Sequence, residues 1–429
     1  MMKTSPLLVT LLIVTCYLLM SCFSSQKEKK SFFINKNTGK GKDSLKKREK
    51  FDDRNHNFSE ICQEHGYKHE EHLVHTDDAY ILRLDRILPA NQTTKGIVLM
   101  VHGIEDSSIE WVINSEELSP AFMLSRAGYD VWLGNNRGND FSLGHEWLTI
   151  KDAAYWDFDW EEMGTHDVPA FVNYIIQETN EEMIDAYIGH SEGTTQFFAG
   201  ASLLPEYYAA HIRLFVALAP VVRLDHSTNK AMVYFARKGV LRLSTKLIQA
   251  LGLYDLLSLS HTPRWIMGKF CGALPRLCEF IDQGFIDWRG EVDNIDREAD
   301  KMAHSPAGSG WRNLIHYGQV IRAKQFQRYD YGEEENQRRY DGSSTPPLYD
   351  LRQIENPMAV YHGDLDALSD PTDVAWLLNE SGIRHSLIIH QEMIHAAHTT
   401  FTIGKNMTYL SDSVIPLIEQ IQNNMVMKS

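Results

Sequence analysis

Three residue types that together cleave acyl bonds occur in this chain in a meaningful order. Ser191 lies in Gly189-His190-Ser191-Glu192-Gly193. Four aspartates, Asp364, Asp366, Asp370 and Asp373, follow a later apolar run, and three histidines, His390, His395 and His398, end or follow the next one. A neutral hydroxyl is a weak nucleophile until an imidazole takes its proton, and a carboxylate then orients the imidazole and stabilises the imidazolium. The oxyanion formed on the attacked carbonyl needs aimed N–H donors. His102-Gly103, a turn directly after the apolar run Gly96–Val101, is a candidate source of one. The bare Gly-x-Ser-x-Gly pattern arises by chance in about one chain in ten of this length. Its partners must therefore carry the argument.

Those residues need elements that hold them. Met183–Ile188 reads as a short buried strand and Thr194–Leu204 as a helix, so Ser191 falls on a strand-to-helix turn, the setting of a nucleophile elbow. Glycines on either side would let the neighbouring backbone approach without a Cβ clash. Gly96–Val101, Tyr129–Gly134, Leu214–Val222, Met358–His362 and Ser386–His390 read as further strands, and His72–Leu88 as a hairpin around Thr76-Asp77-Asp78-Ala79. Helical spacing runs through Met163, Val168, Phe171 and Ile175, and again through Leu410, Val414, Leu417, Ile418 and Ile421. Strands alternating with helices predict an α/β fold with a mostly parallel central sheet. From 224 to 345 the pattern changes to a Leu-rich helix (Val240–Leu257), two cysteines and Trp265, Trp288 and Trp311 among polar turns. This segment reads as an insertion forming a mainly helical cap, with its tryptophans as ordinary cap core. The core is expected in two parts, 59–223 and 346–429.

At the N-terminus, Lys3 precedes an apolar run from Leu7 to Met20, too short and wrongly flanked to span a bilayer, so 1–25 reads as a secretory signal peptide. Four Asn-x-Ser/Thr sequons, at Asn57, Asn91, Asn379 and Asn406, then become candidate glycan sites. Cys271 and Cys278 flank Gly272 and Pro275 and are expected to form a local disulfide, leaving Cys62 over. Net charge is −15; residues 1–54 carry twelve Lys and Arg against five Asp and Glu, which is +7 and leaves −22 on the rest. The acidic body argues against nucleic acid and against simple attachment to anionic membranes. The basic, apolar-poor stretch within 26–58 reads as a disordered spacer or propeptide. His65, His69, His72 and His75 raise the question of a metal. His69 and His72 are not at the i, i+4 spacing of a zinc helix, and strand alternation would split the set between faces, so no metal site is expected.

From about Ile61 to Met425 the chain resembles the acid lipase family of α/β-hydrolases, which includes gastric and lysosomal acid lipases and insect lipases. The stretches that carry the resemblance are GYKHEEHLVHTDDAYILRLDRI, VLMVHGIEDSSIEWV, GYDVWLGNNRGNDFSLGH, GHSEGTTQFF, ALAPVVRLDH, HSPAGSGWRNLIHYGQ, TPPLYDLRQIENPMAVYHGDLDALSDPTDV and HTTFTIG. The resemblance implies an α/β-hydrolase fold with Ser191 as nucleophile, Asp366 as the acid and His398 as the base. His398 alone of its rivals lies three residues before a Phe (Phe401) and six before a Gly (Gly404). It also implies oxyanion N–H groups on Ile104 and Glu192, and it supports the pairing of Cys271 with Cys278. The implied activity is hydrolysis of carboxylic esters of neutral lipids at a lipid–water interface, without metal or organic cofactor, in a secreted or lysosomal protein. A lid over the acyl pocket is part of the same implication. Two rival readings are a non-catalytic lipid-binding or storage protein on the same fold and a short-chain carboxylesterase. The chain departs from the family in three places: Glu192 stands where Gln is usual, Ile104-Glu105-Asp106 is unusually acidic, and the loop between Asp366 and His398 is long.

Overall fold

The computed structural model describes residues 53–91, 93–251, 254–256, 287 and 289–426. The expected signal peptide, most of the basic spacer, Cys271, Cys278, Trp265 and Trp288 lie outside the described residues. Asp53, six residues before Ser59, already belongs to the fold. Asp53 is fully buried, its carboxylate pairs with Arg297, and its N–H donates to Asp300 at 3.0 Å. Asn57 then caps the helix Phe58–Glu64 through a reciprocal pair with Glu60.

Strands β1 (His69–His75) and β2 (Tyr80–Ile87) form the expected antiparallel hairpin. Its turn closes on Ala79 at φ 78°, with the Thr76 N–H bonded to the Tyr80 carbonyl at 2.9 Å. β3 (Ile97–Val101), β4 (Asp130–Gly134), the two-residue β5 (Gly144–His145), β6 (Ala186–His190) and β7 (Phe215–Leu218) follow. β8 (Asp255–Leu256) and β9 (Ser309–Gly310) pair with each other, and β10 (Met358–Gly363) and β11 (Ile388–Ile394) complete the main sheet. Its order is β1-β2-β4-β3-β6-β7-β10-β11, with β5 beside β2; pairs from β4 through β11 are parallel. β3, β4, β6 and β7 are buried at every position, as a sheet covered on both faces requires.

Two expectations shift. The last strand runs Ile388–Ile394, four residues beyond His390, while Ser386 sits in a tight turn. β11 is a sheet edge and alternates half-buried with exposed positions, so it accommodates Gln391 and Glu392 where an apolar run stops. The helix expected over Glu161–Glu178 begins at Trp160 and is interrupted by a wide five-residue turn, Met163–Asp167, before α1 (Val168–Thr179). The C-terminal helix does the same, Leu410–Val414 preceding Ile415–Val426. In each case a proline (Pro169, Pro416) follows at the second helical position, where its missing N–H cannot close the ordinary ladder.

Within 224–345 the described residues are mainly helical: Lys230–Phe235, Lys238–Leu251, Glu298–His304, α2 (Trp311–Ala323) and Glu333–Arg339. Helix α2 reaches the core through Asn313 and Tyr317, which are buried, while Trp311 at its start is half-buried. No helix among the described residues is long and apolar enough to cross a membrane.

Candidate active site

Ser191 sits between β6 and α3 (Glu192–Leu203) at φ 52°, ψ −114°. A non-glycine residue at positive φ costs on the order of 1–3 kcal/mol, and the surrounding packing holds it there. A Cβ on Gly193 would stand 2.2 Å from the Val101 carbonyl oxygen, and one on Gly189 2.7 Å from the Gly193 carbonyl. These two glycines are therefore steric requirements of the turn. Gly193→Ala is expected to destabilise the fold by about 2–4 kcal/mol, since backbone atoms on both sides must move. Urea unfolding of the variant measures it, and a midpoint unchanged from wild type would contradict the contact.

The structure brings Ser191, His398 and Asp366 together from three loops on the same sheet edge. Ser191 Oγ lies 2.7 Å from His398 Nε2, and His398 Nδ1 lies 2.9 and 3.1 Å from the Asp366 carboxylate oxygens. All three are buried. Asp366 also accepts the backbone N–H groups of Leu368 (2.9 Å) and Ser369 (2.7 Å). Burial raises the Asp366 carboxyl, but the His398 ring and these donors outweigh it and hold it below the usual carboxylate range. Burial likewise pulls His398 down, and the Asp366 charge and hydrogen bond overcome it, leaving the imidazole more basic than usual.

The rival residues lie elsewhere. His395 pairs with Asp364 at 3.0 Å in an exposed position. His390 contacts Glu392 and Ser413. Asp370 caps the helix Pro371–Asn379, and Asp373 holds His226 and Arg223. The four N-terminal histidines diverge: His69 binds Asp85 (2.7 Å), His72 the Tyr174 hydroxyl (3.0 Å), His75 Glu146 (3.2 Å), and His65 lies 3.9 Å from Asp53. Cys62 is a buried thiol.

The His102-Gly103 turn lies against the serine, since a Cβ on Gly103 would stand 3.3 Å from Ser191 Cβ. Its shape is set by His102. The Asn136 N–H can only donate, so His102 Nε2 accepts at 3.2 Å and Nδ1–H donates to the Gly103 carbonyl at 2.7 Å. Burial, against the Gly103 contact, keeps this ring less basic than usual. A second buried pair joins this turn to the histidine loop. His190 Nε2 donates to the His398 carbonyl (2.9 Å), its Nδ1 meets Glu110 (3.3 Å), and Glu110 accepts the Gly103 N–H (3.3 Å). Glu110 and Asn136 were not legible as site residues: their roles depend on folding, and no spacing marks them. The side chain of Glu192 is buried and accepts from Asn313 Nδ2 at 2.7 Å.

A strand-turn-helix serine on a mostly parallel sheet, followed in the chain by an aspartate and then a histidine bonded to it, defines an α/β-hydrolase-type protein. Residues 96–402 match the family model of the alpha/beta hydrolase fold, and 58–115 match that of the partial alpha/beta-hydrolase lipase region. Human Lipase member K is 34% identical over 383 residues, covering 86% of this chain and 92% of that protein. Human lysosomal acid lipase/cholesteryl ester hydrolase is 34% identical over 385 residues with the same coverages. A solved structure from Sulfolobus solfataricus aligns over 80% of this chain and 90% of its own at TM-score 0.50 and 13% identity, a likeness of fold alone. The chain belongs to the acid lipase family of α/β-hydrolases.

Proposed function

We propose that the chain hydrolyses carboxylic esters of neutral lipids, of the triacylglycerol or cholesteryl ester type, through an acyl-enzyme on Ser191. The observation that carries this reading is the continuous hydrogen-bonded line from Ser191 Oγ through His398 to Asp366. His398 takes the serine proton as Oγ attacks the ester carbonyl, then returns it to the departing alkoxide; water repeats the cycle in reverse to release the fatty acid. Asp366 keeps Nδ1 protonated. The N–H groups of Ile104 and Glu192 are the oxyanion donors in this scheme, and the start of α3 adds its positive dipole end at the same point. The names of the relatives, lipase and cholesteryl ester hydrolase, support the substrate class.

Entry to the secretory route, with a secreted or lysosomal destination, belongs to the same reading. Asn57, Asn91, Asn379 and Asn406 are all exposed, as glycan acceptors must be. Segment 224–345 serves as the cap over the acyl site.

The test compares emulsified long-chain triacylglycerol and cholesteryl ester with soluble short-chain esters. We expect higher kcat/KM on the long chains and a rise in rate above the solubility limit. Preference for soluble short chains would instead favour a short-chain carboxylesterase. A fluorophosphonate should label Ser191; failure to label at every pH tried would leave only a lipid-binding role.

A further inference from the structure

The acid loop, the base loop and the oxyanion turn each receive a buried contact from the inserted segment 224–345. Asp287 accepts the Ala367 N–H at 2.7 Å, one residue past Asp366, and the Thr228 and Asn229 N–H groups meet the Ala367 carbonyl at 2.9 and 3.1 Å. The Ala307 N–H donates to the Glu105 carbonyl at 2.6 Å, and Lys301 Nζ lies 3.3 Å from Asp106 Oδ2. Asp293, fully buried, meets the loop that carries His398.

The loops differ in how far they depend on that segment. Asp366 is oriented from within its own loop, by the Leu368 and Ser369 N–H groups. The neighbours of His398 are held instead by Asp293. Thr400 Oγ1 donates to Asp293 Oδ1 at 2.6 Å, and Thr399 Oγ1 donates to Oδ2 at 3.1 Å. The direction of the first bond is fixed. The Ala397 N–H can only donate and reaches Thr400 Oγ1 at 2.9 Å, so that oxygen accepts there and its one proton is left for Asp293. The Arg289 N–H, also a donor only, meets Asp293 Oδ2 at 2.6 Å and holds the carboxylate in place. On the far side of the loop the Asn294 N–H donates to the Ile403 carbonyl at 2.8 Å, and the Lys405 N–H to the Val292 carbonyl at 2.9 Å. Ala397, Thr399 and Thr400, the residues around the base, thus share one anchor, and all three are buried.

We propose that Asp293 is a positioning residue for the base: through the Thr399 and Thr400 hydroxyls it fixes the backbone on both sides of His398, and so places the imidazole between Ser191 and Asp366. The two ring contacts set how the imidazole is turned. The 2.7 Å approach of Nε2 to Ser191 Oγ also depends on where the His398 backbone stands, and a displaced loop carries the ring with it. Both carboxylate oxygens are needed, one for the Thr400 hydroxyl and one for the Arg289 N–H. The inserted segment then has a second task beside covering the acyl site. It completes the catalytic geometry from outside the α/β core.

This role presupposes acyl transfer at Ser191, and the test separates the two. We measure kcat and KM on a soluble short-chain ester, the rate of fluorophosphonate labelling, and Tm. The variants are Asp293→Ala, Thr400→Val, Thr400→Ser, the double variant Asp293→Ala/Thr400→Val, and Arg328→Gln. Arg328 also ties the inserted segment to the core, but its partners, Glu161 at 2.9 and 3.1 Å and the Pro347 carbonyl, lie outside the catalytic loops. Asp293→Ala and Thr400→Val should each lower kcat and the labelling rate by about 10- to 100-fold with KM within about twofold, the loss expected of a base displaced by about 1 Å. The double variant should lose no more than the worse single one, because both break the same line. Thr400→Ser, which keeps the hydroxyl, should stay within about threefold of wild type, and Arg328→Gln should lower Tm alone. A lower Tm with kcat within about threefold of wild type in both Asp293→Ala and Thr400→Val overturns the proposal, as does an equal loss of kcat in Arg328→Gln. If Asp293→Ala does not fold, Asp293→Asn replaces it, since its oxygen must face the Arg289 N–H and its NH₂ then meets Thr400 without accepting the hydroxyl proton. A proton resonance gives a readout independent of turnover. The low-field His398 Nδ1–H signal, identified by its loss in Asp366→Asn, should weaken in Asp293→Ala and return in full in Thr400→Ser. If it does so while Ser191 never labels, the acyl-enzyme reading fails and the role of Asp293 stands; an unchanged signal in Asp293→Ala overturns that role.

Discussion

Ser191→Ala should lower kcat on a long-chain ester on the order of 10⁵- to 10⁶-fold while leaving the protein folded. The size follows from the geometry. Among the described residues the only hydroxyl within hydrogen-bond distance of His398 Nε2 is Ser191 Oγ, at 2.7 Å, and no neighbouring residue of the elbow offers a second nucleophile there. Alanine keeps the Cβ and the backbone at φ 52°, so the strain of the turn is the same in both proteins and the flanking glycine contacts are unchanged. The lost hydrogen bond is worth about 1 kcal/mol at most, and relieving a partly desolvated hydroxyl offsets some of that. Stability and activity should thus separate cleanly. Steady-state turnover of emulsified triolein, read beside a thermal melt and fluorophosphonate labelling, measures both. Turnover within tenfold of wild type, in a folded variant that no longer labels, would remove Ser191 from the mechanism.

The parts of this site that were readable before the structure are those that depend on the chain's own local geometry. Gly189 and Gly193 announce the elbow because only glycine admits carbonyls at 2.7 and 2.2 Å from a Cβ position. The buried strands β3, β4, β6 and β7 announce themselves as continuous apolar runs, since both faces of that sheet are covered. What could not be read is whatever is made by residues far apart in the chain. Asn313 meets Glu192 across 121 positions, His190 meets the His398 carbonyl across 208, and Asp53 pairs with Arg297 across 244. Asp53 shows the cost of reading composition alone: embedded in a basic, polar stretch, it looked like spacer, and only its partner makes it core. Glu192 was legible as a departure from the family, but not as a buried carboxyl held by Asn313.

The choice among the aspartates yields the second large effect. Asp366→Asn should reduce kcat by about 10⁴-fold, whereas Asp364→Asn should change it by less than about threefold. In wild type Asp366 Oδ1 accepts the Leu368 and Ser369 N–H groups, at 2.9 and 2.7 Å, while Oδ2 lies 2.9 Å from His398 Nδ1. Asparagine must keep its carbonyl oxygen toward the two backbone donors, because its NH₂ cannot accept from them. The NH₂ then replaces Oδ2 and points a donor at His398 Nδ1. The imidazole answers by losing its Nδ1 proton and carrying one on Nε2, the atom that must accept from Ser191. The base is thereby turned into a donor in the ground state, and the cationic form loses its carboxylate partner. Asp364 makes a pair of the same composition with His395 at 3.0 Å, but His395 is exposed, and neither atom of that pair approaches Ser191. The two variants therefore differ in one thing, connection to the serine, and a pre-steady-state acylation rate reads it directly. Equal losses in both would show that the effect is one of net charge on the loop; a loss in Asp364→Asn alone would transfer the acid role to Asp364.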